Sequence, residues 1–107
     1  MEPQKIGETK AYCNGNLWLT ESCLETGEEQ AVPLIHKTLQ YAESRCLNIP
    51  VQLLDCPPGT SCPLIAGTQD ADFVILVAEP TPFGVHDFKL TVDTMRRLHK
   101  PFAAVIN

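Results

Sequence analysis

The chain has 107 residues, a length suited to one small domain, and 44% of them are apolar, enough for a real core and too many for a disordered segment. Thirteen acidic residues against eight basic ones leave a formal charge of −5. That balance disfavours nucleic acid and anionic membranes as partners, since both are bound through basic patches. No run of about 18 apolar residues is present, so no membrane span is expected; the polar start MEPQKIGETK lacks the apolar stretch of a signal peptide, and a cytoplasmic protein is expected.

In chain order, Asn14-Gly15 lies between two short β-prone runs and predicts a hairpin. From Val32 to about Cys46, Leu34, Ile35, Leu39, Ala42 and Cys46 fall on one face of a helix, with Lys37, Gln40, Glu43 and Arg45 largely elsewhere. Glu28 and Glu29 suit the positive end of that helix, and Pro33 is tolerable in its first turn. VQLLD, residues 51–55, reads as a strand, followed by a short helix from about Cys62 to Gly67. DFVILVAE, residues 72–79, is a continuous β-rich apolar run of the kind found in parallel strands covered on both faces. From Val85 to His99, Val85, Phe88, Val92, Met95 and Leu98 share a helical face; Pro101 then stops the helix, and FAAVI, residues 102–106, forms a last strand. Strands and helices alternating at this spacing predict βαβ units, an α/β fold with a mostly parallel sheet, in a single domain spanning 1–107.

Each expected core strand ends on a polar residue: Asp55, Glu79 and Asn107. Strand ends are often polar because the chain is leaving the core, but in a parallel sheet all three would share the edge where open α/β proteins bind ligands. The turn after Asp55 is CPPGTSCP. Pro57 and Pro58 stiffen it, Gly59 can adopt backbone conformations closed to other residues, and Thr60 and Ser61 suit a helix N-cap. A carboxylate beside a glycine turn and a helix start is a place for a metal-bound phosphate. The five cysteines, Cys13, Cys23, Cys46, Cys56 and Cys62, are odd in number and contain no Cys-x-x-Cys pair. They fit neither a disulfide framework nor a locally built zinc or iron–sulfur site, and read as reduced, half-buried residues. His36 and His99 read as solvated or structural; His86, near the second Pro- and Gly-rich turn, is a candidate for contact with a ligand.

The stretch LLDCPPGTSCPLIAGTQDADFVILVAEPTPFGVHDFKL, with VIN at 105–107 and the upstream GEEQAVPLIHKTLQYA, resembles the MinD/ParA-type P-loop ATPases. Within this CobQ/CobB/MinD/ParA group it is most similar to the members that carry an inserted ferredoxin domain. The resemblance runs from about Ile6 to Asn107 and implies a three-layer, partial P-loop fold with an N-terminal hairpin. It implies that Asp55 is the catalytic Walker B acid near Mg²⁺, that Gly59 is the switch glycine with Thr60 beside it, that Glu79, Pro80 and Thr81 line the nucleotide loop, and that Asn107 reads the base. ATP and Mg would then be bound by a full-length parent linked to iron–sulfur or redox function, with any iron–sulfur cluster held in a ferredoxin insert.

The Gly-x-x-x-x-Gly-Lys-[Ser/Thr] phosphate loop is missing, as are the cysteine quartets of a ferredoxin insert. The chain therefore reads as the C-terminal part of such an ATPase, inactive alone, whose first partner is the missing N-terminal part. A noncatalytic interaction module that keeps the fold without the phosphate cradle is the competing reading; an Mrp-type iron–sulfur carrier ranks below both, since it would carry Cys-x-x-Cys. The strand absent between those of VQLLD and DFVILVAE is expected to leave a gap that closes, or is filled by the hairpin or by a second copy in a homo-oligomer.

Overall fold

The computed structural model describes residues 5–27, 30–45, 48–57, 59 and 62–107. The chain divides into two compact units, Met1–Leu53 and Leu54–Asn107.

In the first unit, β1 (Gly7–Asn14) and β2 (Leu17–Leu24) pair antiparallel from Gly7↔Leu24 to Asn14↔Leu17. The hairpin is where the sequence placed it, but its turn lies one residue later. Asn14 still pairs with Leu17, so Gly15-Asn16 is the loop. Gly15 has φ +60 and Asn16 has no positive φ, which matches the glycine-first II′ class rather than the Asn-Gly I′ class. Helix α1 (Ala31–Arg45) packs chiefly on β2. Leu34 is its buried residue, while Ile35, Leu39 and Ala42 are half-buried on the expected face. Glu28, Glu29 and Cys46 lie outside the described residues. Hydroxyls satisfy one another at the seam: Thr9 Oγ1 and Ser22 Oγ are 2.7 Å apart, Ser22 bonds Thr38, and Thr38 donates to the Leu34 carbonyl at 2.7 Å.

The second unit contains α2 (Cys62–Thr68), β3 (Val74–Ala78), α3 (Pro82–Arg97) and β4 (Phe102–Ile106). Strands β3 and β4 pair in parallel, from Val74↔Phe102 to Ala78↔Ile106. Leu64 from α2 and Met95 from α3 form one core with Val74 and Leu76, joined by Phe88, Val92 and Phe102. Both helices therefore lie on the same face of β3. That corrects the expectation of a strand covered on both faces: Val74, Leu76 and Ala78 are buried, whereas Ile75 and Val77 are 62% and 68% exposed.

Helix α3 starts three residues earlier than Val85. Thr81 is its N-cap, accepting from the Gly84 N–H at 3.0 Å, and Pro82 follows. Its far end is closed by His99, at φ +54, whose N–H donates to Arg96 O at 3.1 Å, with Lys100 N–H on Met95 O at 3.0 Å. His99 thus ends the helix in a left-handed cap before Pro101 is reached. The Lys100 ammonium reaches across to the carbonyls of Gln69 (2.6 Å) and Ala71 (2.9 Å), just beyond the end of α2.

The third expected strand is not formed. Residues 51–57 have no regular structure, and Val51 and Leu53 are 70% and 90% exposed. A strand is stable only against a neighbour that takes up its backbone groups, and VQLLD has none among the described residues. The observed sheets are a separate antiparallel hairpin and a separate parallel pair. The fold is α/β with a parallel pair and an N-terminal hairpin, rather than a complete three-layer sheet. Among the described residues β3 pairs with β4 alone.

Candidate functional site

Glu79 is the first residue after β3 and Asn107 the first after β4. The Asn107 N–H donates to Ala78 O at 2.9 Å, extending the ladder by one rung, so the two polar residues sit together at the carboxyl edge of the sheet. From there the chain turns at once into α3. Thr81 N–H donates to Glu79 O at 2.8 Å, and Val85 N–H to Thr81 O at 2.8 Å. A Cβ on Gly84 would collide with the Glu79 carbonyl and lie 3.0 Å from Thr81 Oγ1. Gly84 therefore lets the first turn of α3 fold directly onto the strand end. Glu79, Pro80, Thr81 and Asn107 are all exposed, and the helix start beside them carries the partial positive charge of its macrodipole.

The other expected site residues are less constrained. Asp55 is exposed, lies outside any strand, and makes no hydrogen bond or ion pair among the described residues. Gly59 has φ +115, the left-handed backbone that the turn reading requires. Thr60, with Pro58 and Ser61, lies outside the described residues. No hydrogen bond ties Asp55 or Gly59 to Glu79 or Asn107 among the described residues. His86 is exposed in the early part of α3.

One contact that holds the Asp55 segment escaped the sequence reading. Cys56 is half-buried, and its Sγ lies 2.8 Å from the point that a Cβ on Gly67 would occupy. The thiol fills the space left by the glycine, fastening the residue after Asp55 to α2. Burial, and secondarily the Asp55 charge, push the Cys56 thiol above its ordinary pKa. It is therefore a packing group at neutral pH and a poor nucleophile. Cys62, at the start of α2, is exposed, as are Cys13 and Cys23 on the hairpin.

Among the described residues no three His, Cys, Asp or Glu side chains are grouped to hold a metal ion. The set does not fit an iron–sulfur cluster, which needs a quartet of thiolates or their equivalent. The exposed Asp55 carboxylate is of the chemistry that fits Mg²⁺, which is held by one or two carboxylates together with substrate phosphates. Two shallow grooves, of about 360 and about 400 Å³, are lined by Thr9, Lys37, Gln40, Tyr41 and Ser44, and by Asn16, Trp18, Asn48, Ile49, Pro50 and Val51. Neither contains an expected site residue.

The chain is similar to two proteins of Methanocaldococcus jannaschii. It is 35% identical to the uncharacterized protein MJ0579 over 103 residues, covering 96% of the chain and 36% of that protein. It is 29% identical to the uncharacterized protein MJ0578 over 84 residues, covering 78% of the chain and 30% of that protein. The chain thus spans about a third of the length of the curated relatives it matches. No family model matches the chain, and no solved structure matches it.

Proposed function

We propose that the C-terminal unit is the base-side part of a MinD-like nucleotide-binding sheet, and that a polypeptide carrying the phosphate loop completes its site. The observation that supports this most is the juxtaposition of Glu79 and Asn107 at one carboxyl edge, against the exposed start of α3. Open parallel sheets take their ligands there. In this reading the Asn107 amide reads the nucleobase, and the Glu79-Pro80-Thr81 turn borders the nucleoside. Gly59 brings a backbone N–H to the γ-phosphate, with Thr60 beside it, and the Asp55 carboxylate holds the ion or its water. The bound Mg²⁺ supplies charge stabilisation to the phosphoryl oxygens. Attack is by water, so what the protein contributes is positioning and electrostatics. Any iron–sulfur or redox task belongs to the longer protein.

Two measurements test this. Calorimetry of the isolated chain is expected to show no micromolar ATP affinity, because an exposed acid without a phosphate cradle holds a metal nucleotide weakly. A joined polypeptide, in which this chain replaces the matched segment of MJ0579, is expected to bind and hydrolyse ATP. Asp55→Asn should remove most of that turnover without changing circular dichroism, and Asn107→Ala should weaken nucleotide binding. A joined polypeptide that folds but ignores ATP would overturn the reading and favour the noncatalytic interaction module.

A further inference from the structure

The hairpin loop holds a reactive pair that neither the fold nor the proposed site uses. Asparagine is among the chemically labile residues, because its carboxamide can be attacked by the backbone nitrogen of the residue that follows. A side chain on that next residue obstructs the approach. Asn16 and Asn48 are followed by Leu17 and Ile49, whereas Asn14 is followed by Gly15, which has no side chain to stand in the way. Asn14 and Gly15 are both exposed, and the Asn14 carboxamide makes no hydrogen bond among the described residues.

The register of the hairpin sets what holds the pair back. The ladder ends on Asn14↔Leu17, so the Gly15 nitrogen lies in the loop beyond the last rung. Among the described residues its N–H has no backbone acceptor. The one bond to Gly15 is at its carbonyl, which accepts from Cys13 Sγ at 3.6 Å, and the nitrogen is left free. Asn14 is kept extended by its pairing, and its backbone can rotate towards the attacking geometry only when that rung opens. A terminal rung opens at little cost. The tip is also uncharged: no ionisable acid or base lies between Lys10 and Glu21, which face each other across the ladder.

We propose that Asn14 is a site of spontaneous deamidation, and that its isoaspartyl product unpairs the hairpin tip. The Gly15 nitrogen bonds to Asn14 Cγ, the Cγ–Nδ2 bond breaks, and the side-chain nitrogen leaves as ammonia, taking the Gly15 amide proton. Water then opens the five-membered imide at either carbonyl carbon. Opening at Cγ gives aspartate at position 14 on the native main chain. Opening at the main-chain carbonyl gives isoaspartate, in which the chain runs through the former side chain and is longer by one methylene. Both products place a carboxylate on the uncharged tip, but only isoaspartate changes the length of the loop, on which the turn depends. The rung at position 14 is then lost, and Cys13↔Trp18 becomes the end of the ladder. Trp18 is the single tryptophan, so its fluorescence reports the change. The proposal is independent of the nucleotide reading.

The test ages the full chain in mildly alkaline buffer, with peptide mass spectrometry to locate each amide-to-acid exchange and to separate aspartate from isoaspartate. Deamidation at Asn14 is expected to run at least about tenfold faster than at Asn16 or Asn48, because only Asn14 precedes a glycine. It is expected to stay within about tenfold of its own rate in urea, since only a terminal rung must open. Trp18 fluorescence should change as isoaspartate accumulates. Asn14→Gln, which would have to close a six-membered ring, should stay unmodified and keep the native fluorescence. Freshly purified Asn14→Asp should keep it too, because its main chain is not lengthened. Reaction of Asn14 in urea but not in the folded chain would overturn the proposal, as would equal rates at the three asparagines. Isoaspartate with unchanged fluorescence, or the same fluorescence change in fresh Asn14→Asp, would overturn the unpairing of the tip.

Discussion

The contact between Cys56 and Gly67 yields a prediction whose sign reverses with context. Gly67 lies near the end of α2, where replacing glycine by alanine ordinarily gains about 0.5 kcal/mol by restricting the unfolded chain. Here the new methyl would arrive 2.8 Å from Cys56 Sγ, which is under van der Waals contact. The thiol must swing away on its single rotor, and overpacking of this kind costs about 1–3 kcal/mol. The steric cost outweighs the gain, so Gly67→Ala should destabilise the C-terminal unit by about 1 kcal/mol. With Cys56→Ala already in place the obstruction is gone, and the same substitution should stabilise by about 0.5 kcal/mol. The coupling, about 1.5 kcal/mol, is within the range for residues in contact. The single tryptophan, Trp18, lies on β2 of the other unit, so its fluorescence is the wrong probe. Urea unfolding should be followed by far-UV circular dichroism and by amide exchange at Leu76. Alkylation gives a second readout, because a displaced Cys56 should react faster. If Gly67→Ala proved neutral or stabilising in the wild-type background, the thiol would not be held where the structure places it.

Cys56 should be alkylated with a pH profile displaced upward from that of an ordinary thiol, and Asp55→Asn should bring the profile part of the way back, since the Asp55 charge is the lesser cause of the shift. Its folded pKa lies above the unfolded one, so the stability this thiol contributes is complete below the ordinary value of 9.0 and declines as pH rises beyond it; alkaline unfolding of the Cys56→Ala variant should lack that contribution. Met95, with no exposed surface at the centre of the core, should cost about 2–5 kcal/mol when truncated to alanine. Lys100→Met keeps the aliphatic stem but leaves the carbonyls of Gln69 and Ala71 without their donor, and should cost about 1 kcal/mol by urea unfolding.

The elements that were legible in the sequence are those whose partners lie close in the chain. The hairpin, α1, the β3–α3–β4 crossover and the Met95 face of α3 all draw their burial from neighbours within the same unit. VQLLD failed for the same reason. Its composition describes a strand flanked on both sides, and composition records the environment a segment is suited to, whether or not the neighbour is present. The run at 72–79 carried a similar message in part. Ile75 and Val77 have the side chains of a two-sided strand, yet only the side holding Leu64 and Met95 is covered. Helix ends were misplaced where a side chain, not periodicity, decides them. Thr81 before Pro82 is a readable N-cap signal, while the left-handed His99 is settled by backbone bonds that no residue pattern announces.

The same distinction separates the two halves of the candidate site. Glu79 and Asn107 are brought together because parallel pairing carries both strand ends to one edge, and parallel pairing follows from the alternation of strand and helix. Asp55 is different. Its reading as a strand-end acid depended on a strand that has no neighbour among the described residues, so the residue keeps its chemistry without its position. What does locate it is the thiol of Cys56 against Gly67, a contact between a turn and a helix whose only trace in the sequence is an ordinary glycine. The candidate site is therefore built into the sheet at Glu79 and Asn107 and only tethered, through Cys56, at Asp55. In the proposed reading, the polypeptide carrying the phosphate loop would place its strand directly beside β3, and VQLLD would then have an edge to pair with. On that argument Asp55 should acquire its strand and its position only when the β3 edge is covered. Amide protection at Leu53 and Leu54 should accordingly rise together with protection at Ile75 and Val77 in the joined polypeptide, and Val77→Glu should abolish both. Protection at 75 and 77 without any at 53 and 54 would refute this link between completion of the sheet and the ordering of the acid.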